Sequence, residues 1–302
     1  MKFTISATEL NAKLIALAKV MNSKVALPIY STFLLELKDG VLRITASDMD
    51  CSRCSTLPVI DMDGANGHSE SICVTASFLL DSLKNLGDQP VTFEADEENL
   101  SVVIRYNNGQ FDMVGFPAKD YVLPGTMEKN VKATIEASVL NDSIGKSLYA
   151  VGNDDLRPIF CGIYFTKKGD ELQCAATNGS MLVRNIYKVE DDGQEYNFLL
   201  HSRAAKIVRS MTSKSDEKVQ VFITDREMAF QTETDYFRTR LIEGRYPNYN
   251  AVIPTDSGQK SHSRQKRTVG GRQTGKRICG QGTLRGGHEL FGIVVGAFGK
   301  GY

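Results

Sequence analysis

The sequence predicts an α+β protein built from a repeated antiparallel domain. Three observations carry this: the chain matches itself at an offset of 130 residues, each copy holds many short alternating segments, and each holds two stretches of helical apolar spacing. Ile5 falls on Ile135, Leu10 on Leu140, Pro28 on Pro158, Ile29 on Ile159 and Leu42 on Leu172. Thr45-Ala46-Ser47-Asp48 falls on Ala175-Ala176-Thr177-Asn178, and Phe116-Pro117 on Tyr246-Pro247. The copies therefore begin and end together, giving domains at 1–124 and 125–254 and a remainder at 255–302.

The first copy opens on Phe3 to Ser6, which alternates as a strand does. Leu10, Leu14, Leu17 and Met21 then recur at helical spacing behind Thr8 as a cap. Thr32 to Leu37 and Val41 to Thr45 flank Lys38-Asp39-Gly40, a hairpin signal. A strand follows from Ser71 to Val74 and a helix from Ser77 to Leu86. Strands near Val91 to Glu94, Leu100 to Arg105 and Gln110 to Val114 complete the copy. The second copy repeats the pattern, with helices over Ser138 to Tyr149 and Ser202 to Met211.

The composition, 41% hydrophobic and 24% charged with no tryptophan, is that of a globular protein. No apolar run approaches the length of a membrane span, and Met1 to Ser6 has no secretory h-region, so no membrane partner and a cytoplasmic place are expected. Six unevenly spaced cysteines do not make a disulfide framework. With formal net charge zero, affinity for nucleic acid has to come from the distribution of charge. The four helices carry Lys13, Lys19, Lys84, Lys146, Arg203, Lys206 and Arg209 against Glu9, Asp81 and Asp142. Lined along one face they would grip phosphates without reading sequence, although the same lysines would also serve to solvate exposed helices.

Cys51-Ser52-Arg53-Cys54 has C-x-x-C spacing, but no second pair follows at a distance suited to zinc. Asp48 with Asp50, and Asp61 with Asp63, raise the alternative of a metal-dependent nuclease, yet no phosphate-cradling Gly-rich loop accompanies them. His68, His201, His262 and His288 show no catalytic partner pattern. Neither an enzyme nor a resident metal or cofactor is expected.

Three segments resemble the bacterial DNA sliding clamp family, the beta subunit of DNA polymerase III. They are Met1 to Ile5 with Leu27-Pro28-Ile29, then Ala175 to Leu182, similar to the family's Ala-Thr-Asp-Gly-His-Arg-Leu, then Gly244-Arg245-Tyr246-Pro247-Asn248-Tyr249. The resemblance covers roughly residues 1 to 255 and implies a DNA-clamp fold and a non-catalytic processivity factor. Family members have three such domains per chain, and two chains close head to tail around double-stranded DNA. By that resemblance Lys24, Arg157, Arg203 and Lys206 are DNA-binding residues. The partner-peptide groove would use Phe160, Thr177, Gly179, Met181, Leu182, Pro247 and Val252. Its implied partners are the DNA polymerase III alpha subunit, the clamp loader and other clamp-motif proteins. Met181 stands where many members have Arg, and Asn178 where many have Asp. A monomeric peptide-binding adaptor that never encircles DNA is a further alternative.

From Ser257 the resemblance stops. Between Gln259 and Tyr302 nine Lys and Arg residues face the single acid Glu289, and Gln259 to Gly271 shows no strand alternation. One allowed codon spelling of that stretch, shifted by one base, reads RKVTVDRKELL, a domain opening in the place where a third copy is due. A frameshifted, poorly ordered third-domain remnant is therefore expected, and with it a chain that does not close into the family's homodimer.

Overall fold

The structure, a computed structural model, describes residues 1–21, 27–63, 70–123, 125, 127, 131–213 and 217–253, and the backbone of two strands at 278–283 and 289–295. Lys24, His68, His262, His288 and the stretch 259–271 lie outside the described residues. The chain divides into two compact units: Met1–Met127 with Ala229–Thr239, and Glu128–Met228 with Arg240–Tyr302. A segment of the second sequence copy thus groups with the first unit.

The first copy runs β1 (Lys2–Ser6), α1 (Ala7–Ala18), β2 (Thr32–Lys38), β3 (Val41–Ser47), β4 (Cys51–Pro58), β5 (Asp61–Asp63), β6 (Glu70–Thr75), α2 (Ala76–Leu83), β7 (Pro90–Ala95), β8 (Ser101–Tyr106), β9 (Gly109–Val114) and β10 (Phe116–Pro117). The second runs β11 (Val131–Glu136), α3 (Ala137–Ser147), β12 (Gly162–Lys168), β13 (Glu171–Thr177), β14 (Leu182–Lys188), β15 (Tyr196–His201), α4 (Ser202–Thr212), β16 (Lys218–Ile223), β17 (Glu227–Gln231) and β18 (Asp235–Arg240). β19 (Ile278–Thr283) and β20 (Glu289–Val295) follow.

In the first unit one antiparallel sheet has the order β5-β1-β7-β8-β9 and a second has β10-β6-β2-β3-β4, with β18 added beside β4. Phe3 and Ile5 of β1 fall inward, and Phe3 stacks on Phe93 at 5.1 Å. α1 starts two residues earlier than Thr8 predicts. Its cap is Ser6, whose hydroxyl accepts the Glu9 amide at 3.3 Å, because Ser6 with Glu9 three residues on forms the capping pattern. Leu10, Leu14 and Leu17 bury the inner stripe of that helix, contributing roughly 2 kcal/mol each. The Asp39-Gly40 turn takes positive φ at both residues, the geometry that closes a two-residue hairpin between β2 and β3.

In the second unit the order is β15-β12-β13-β14-β20-β19, and β11 pairs with β16. The repeat is visible in the pairing itself. Leu34 faces Thr45 across β2 and β3 as Tyr164 faces Ala175 across β12 and β13, and Pro28 and Pro158 each open the short 3-10 turn before the strand. Two strands of the tail are described. β20 pairs antiparallel with β14 through Leu182↔Val295, Val183↔Val294 and Arg184↔Ile293, and β19 pairs with β20. The outer edge of β14 presents backbone donors and acceptors, and Ile293-Val294-Val295 is a β-branched run suited to take them up.

Candidate functional site

The groove residues named from the sequence come from three segments of the second unit. Thr177, Gly179, Met181 and Leu182 sit on the turn between β13 and β14. Thr177 Oγ1 donates to the Met181 carbonyl at 2.7 Å and accepts the Gly179 amide at 3.1 Å. Asn178 Oδ1 accepts the amides of Ser180 and Met181, both at 2.9 Å. Gly179 has φ +90°, a conformation that a side chain would strain. Asn178 thus spends its side chain on the turn itself, whichever of Asn or Asp occupies the position.

Behind the turn lies a tyrosine cluster the sequence reading passed over. Tyr246 stacks on Tyr164 at 4.8 Å with a 6° interplanar angle, and Tyr249 meets both rings edge-on at 6.2 and 6.4 Å. Ala175, Leu199, Ile159 and Ile242 pack around them. Burial pushes the Tyr246 and Tyr249 phenols up, and the Tyr246 hydroxyl lies beside the Thr177 backbone without reaching hydrogen-bond geometry. This cluster anchors the segment carrying Pro247, which is exposed, and Val252, which is 43% exposed. Phe160, adjacent to Ile159, is half-buried under the Arg157 guanidinium at 5.7 Å, whereas Leu182 is only 2% exposed. Leu182 therefore belongs to the buried interior, while Phe160, Pro247 and Val252 present apolar surface.

The basic residues of the helices differ in their surroundings. Lys13 Nζ is held by Asp235 at 2.9 Å and Lys146 Nζ by Asp142 at 2.6 Å, so both cations are committed within the fold. On α4, Lys206 and Arg209 are both exposed and stand three residues apart, hence on one face. They line a groove of about 370 Å³ with Asn141, Leu148, Ser210 and Ser213. Gly145 of α3 makes room there, since a Cβ would stand 3.1 Å from the Arg209 guanidinium. Arg203 lies in the first turn of α4, its amide donating to His201 Nδ1 at 3.1 Å. Arg157 is 61% exposed and paired with Asp154 at 2.9 Å. That hydrogen bond from Arg157, with one from the Leu156 amide, holds the Asp154 carboxyl below its ordinary range.

Of the residues weighed for catalysis or metal binding, Asp48 and the two cysteines of the C-x-x-C segment are engaged within the fold. Asp48 Oδ1 accepts the amides of Asp50 and Cys51 at 2.9 and 2.7 Å, closing the β3–β4 turn. Cys51 and Cys54 are buried, and Arg43 Nε donates to Cys54 Sγ at 3.0 Å. Among the described residues no group of three or more His, Cys, Asp or Glu is placed to hold a metal ion, and no helix is long and apolar enough to cross a membrane.

A repeated domain of antiparallel sheets carrying two helices is the architecture of the DNA sliding clamps. The family described as DNA polymerase III beta subunit, N-terminal domain, matches residues 1–124, and the central domain of the same subunit matches residues 134–248. The chain belongs to the DNA polymerase III beta subunit family. It is 24% identical over 302 residues to the beta sliding clamp of Staphylococcus epidermidis, covering 96% of this chain and 79% of that one. To the beta sliding clamp of Bacillus subtilis it is 26% identical over 261 residues, covering 85% and 69%. The crystal structure of the Bacillus subtilis DNA polymerase sliding clamp matches with a TM-score of 0.77 at 25% identity, over 85% of this chain and 68% of that one. A DnaN sliding clamp from Pseudomonas aeruginosa, bound to griselimycin, matches in fold with a TM-score of 0.79 at 21% identity, over 85% and 69%.

Proposed function

We propose that this chain works as a DNA sliding clamp, a non-catalytic processivity factor that tethers the replicative polymerase to duplex DNA in the cytoplasm. The observation that carries the reading is the agreement of two successive beta-subunit domain matches with two copies of the same strand-helix pattern.

In this reading the helices hold phosphates diffusely, as a sliding contact requires. Lys206 with Arg209 on α4 supplies the strongest described part of that grip. Lys24, Arg157 and Arg203 belong to the same proposal. Duplex binding by the purified 302-residue chain, expected to sediment as a monomer, should weaken steeply with salt. Replacing Lys206 and Arg209 by Gln should lower the slope of log affinity against log salt by about 2, with no change in sequence preference. An unchanged slope would remove α4 from the DNA-facing surface.

The groove of Phe160, Thr177, Gly179, Met181, Leu182, Pro247 and Val252 is proposed to take clamp-motif peptides of the polymerase alpha subunit, the clamp loader and other partners. Val252→Asp puts a charge on an exposed apolar wall, so it should leave the melting temperature within a few degrees while weakening such a peptide by about tenfold or more. Titration of a fluorescent clamp-motif peptide measures this, and equal affinities would place the peptide elsewhere.

A further inference from the structure

The two copies depart from each other at two places. Residues 59–69 join β4 to β6 and include β5, whereas the shorter stretch 189–195 joins β14 to β15. Conversely, Gly115 alone separates β9 from Phe116, while Leu241 to Arg245 separate β18 from Tyr246. The repeat is therefore offset by 126 residues between Ala76 and Ser202, the first residues of α2 and α4, and by 130 again at Phe116 and Tyr246.

Both departures open on one cleft of the second unit, of about 390 Å³. The shortened connection contributes Glu195, and the lengthened one contributes Leu241 and Glu243. Val131, Asn197 and Asp225 stand among the other lining residues. In the first unit β5 covers the outer edge of β1, whereas β11 pairs with β16 alone among the described residues. The outer edge of β15 is covered at one point, where the Ile242 amide donates to the Leu199 carbonyl at 3.0 Å. Backbone groups alternate sides along a strand, so the N–H and C=O of Asn197, two residues earlier, face the same way. Asn197 is exposed and has no backbone partner on that side among the described residues.

The rim is acidic. Glu195, Asp225 and Glu243 are exposed, and among the described residues only Glu243 has an ion-pair partner, Arg226 at 3.6 Å. We propose that this cleft binds an extended basic peptide segment of a partner protein, which adds as a strand to the outer edge of β15 at Asn197. Main-chain hydrogen bonds supply the attachment, the apolar floor at Val131 and Leu241 takes alternate side chains, and the three carboxylates select lysine or arginine between them. A second copy pairing edge to edge through β15 would bring the same acids together, so the partner is a different chain. The proposal goes beyond clamp function and uses none of the groove residues.

Amide exchange of Asn197 and its neighbours, followed by NMR on the full chain, tests it with two probes: an acetylated, amidated Lys-Val-Lys-Val-Lys peptide and its Glu-Val-Glu-Val-Glu counterpart. The lysine peptide should slow exchange at Asn197 and the glutamate peptide should not. Glu195→Lys combined with Asp225→Lys should reverse the preference, while Val252→Asp should leave it unchanged. Equal effects of the two peptides, no slowing by either, or protection that rises with protein concentration in the absence of peptide would each overturn the proposal.

Discussion

Replacing Asp235 by Ala should destabilise the first unit by about 3–5 kcal/mol, the range for removing one partner of a buried ion pair. The carboxylate is 9% exposed and its partner Arg53 is 4% exposed. Asp235 Oδ1 accepts Arg53 Nη2 at 2.7 Å, Arg53 Nε at 3.1 Å and the Ser55 hydroxyl at 2.5 Å, while Oδ2 accepts Lys13 Nζ at 2.9 Å and the Thr234 hydroxyl at 2.8 Å. Truncation leaves the Arg53 guanidinium buried with, among the described residues, only the Ala16 carbonyl at 3.2 Å. Calorimetry should show a fall in melting temperature of roughly 10 °C or more. Replacing Arg53 by Met together with Asp235 by Leu should cost far less than either truncation alone, because no charge is then stranded. A single Asp235→Ala variant within 1 °C of the parent would show that the network carries no stability.

The same network fixes a pH dependence. Burial alone would raise the Asp235 pKa, but the Arg53 charge and the hydrogen bonds from Ser55, Lys13 and Arg53 outweigh it and hold the carboxyl well below the ordinary carboxylate range. A depressed folded-state pKa gives stability that is complete above the unfolded value of about 4 and is lost as pH falls through and below it. In Asp235→Asn the acid limb of the stability curve should therefore flatten.

How much of this was legible beforehand follows from the kind of signal involved. Alternation at Phe3 to Ser6 and the Leu10, Leu14, Leu17 spacing report directly on which side faces the core, so β1 and α1 could be read from the sequence. Their boundary could not, because Thr8 and Ser6 both have capping side chains and only the Glu9 amide distinguishes them. The repeat was legible at its ends, while its slip inside each copy was not: the four-residue deficit after β14 and the four-residue excess after β18 cancel in the overall offset. The β13–β14 turn was legible as a family motif. The commitment of Lys13 to Asp235 was not, since those residues stand 222 positions apart and no local pattern joins them.

The tyrosine cluster behind the proposed groove yields the other large effect. Tyr246→Ala should cost about 3–5 kcal/mol, the range for emptying a buried aromatic site. The stack on Tyr164 and the edge contact to Tyr249 add to the area lost. The cost should appear in function as well. Pro247 and Val252 are carried by the segment that Tyr246 and Tyr249 pin to Tyr164 and Ile159, so loosening it should weaken a clamp-motif peptide even at temperatures where the variant is fully folded. Tyr246→Phe separates packing from polarity. Its hydroxyl is buried without a hydrogen bond, so removing it should change stability by less than about 1 kcal/mol and leave peptide affinity intact. Denaturant unfolding and peptide titration on both variants provide the measurement. If Tyr246→Phe loses as much as Tyr246→Ala, the hydroxyl and not the ring stack organises the groove; if neither variant loses affinity, the 246–252 segment is not one of its walls.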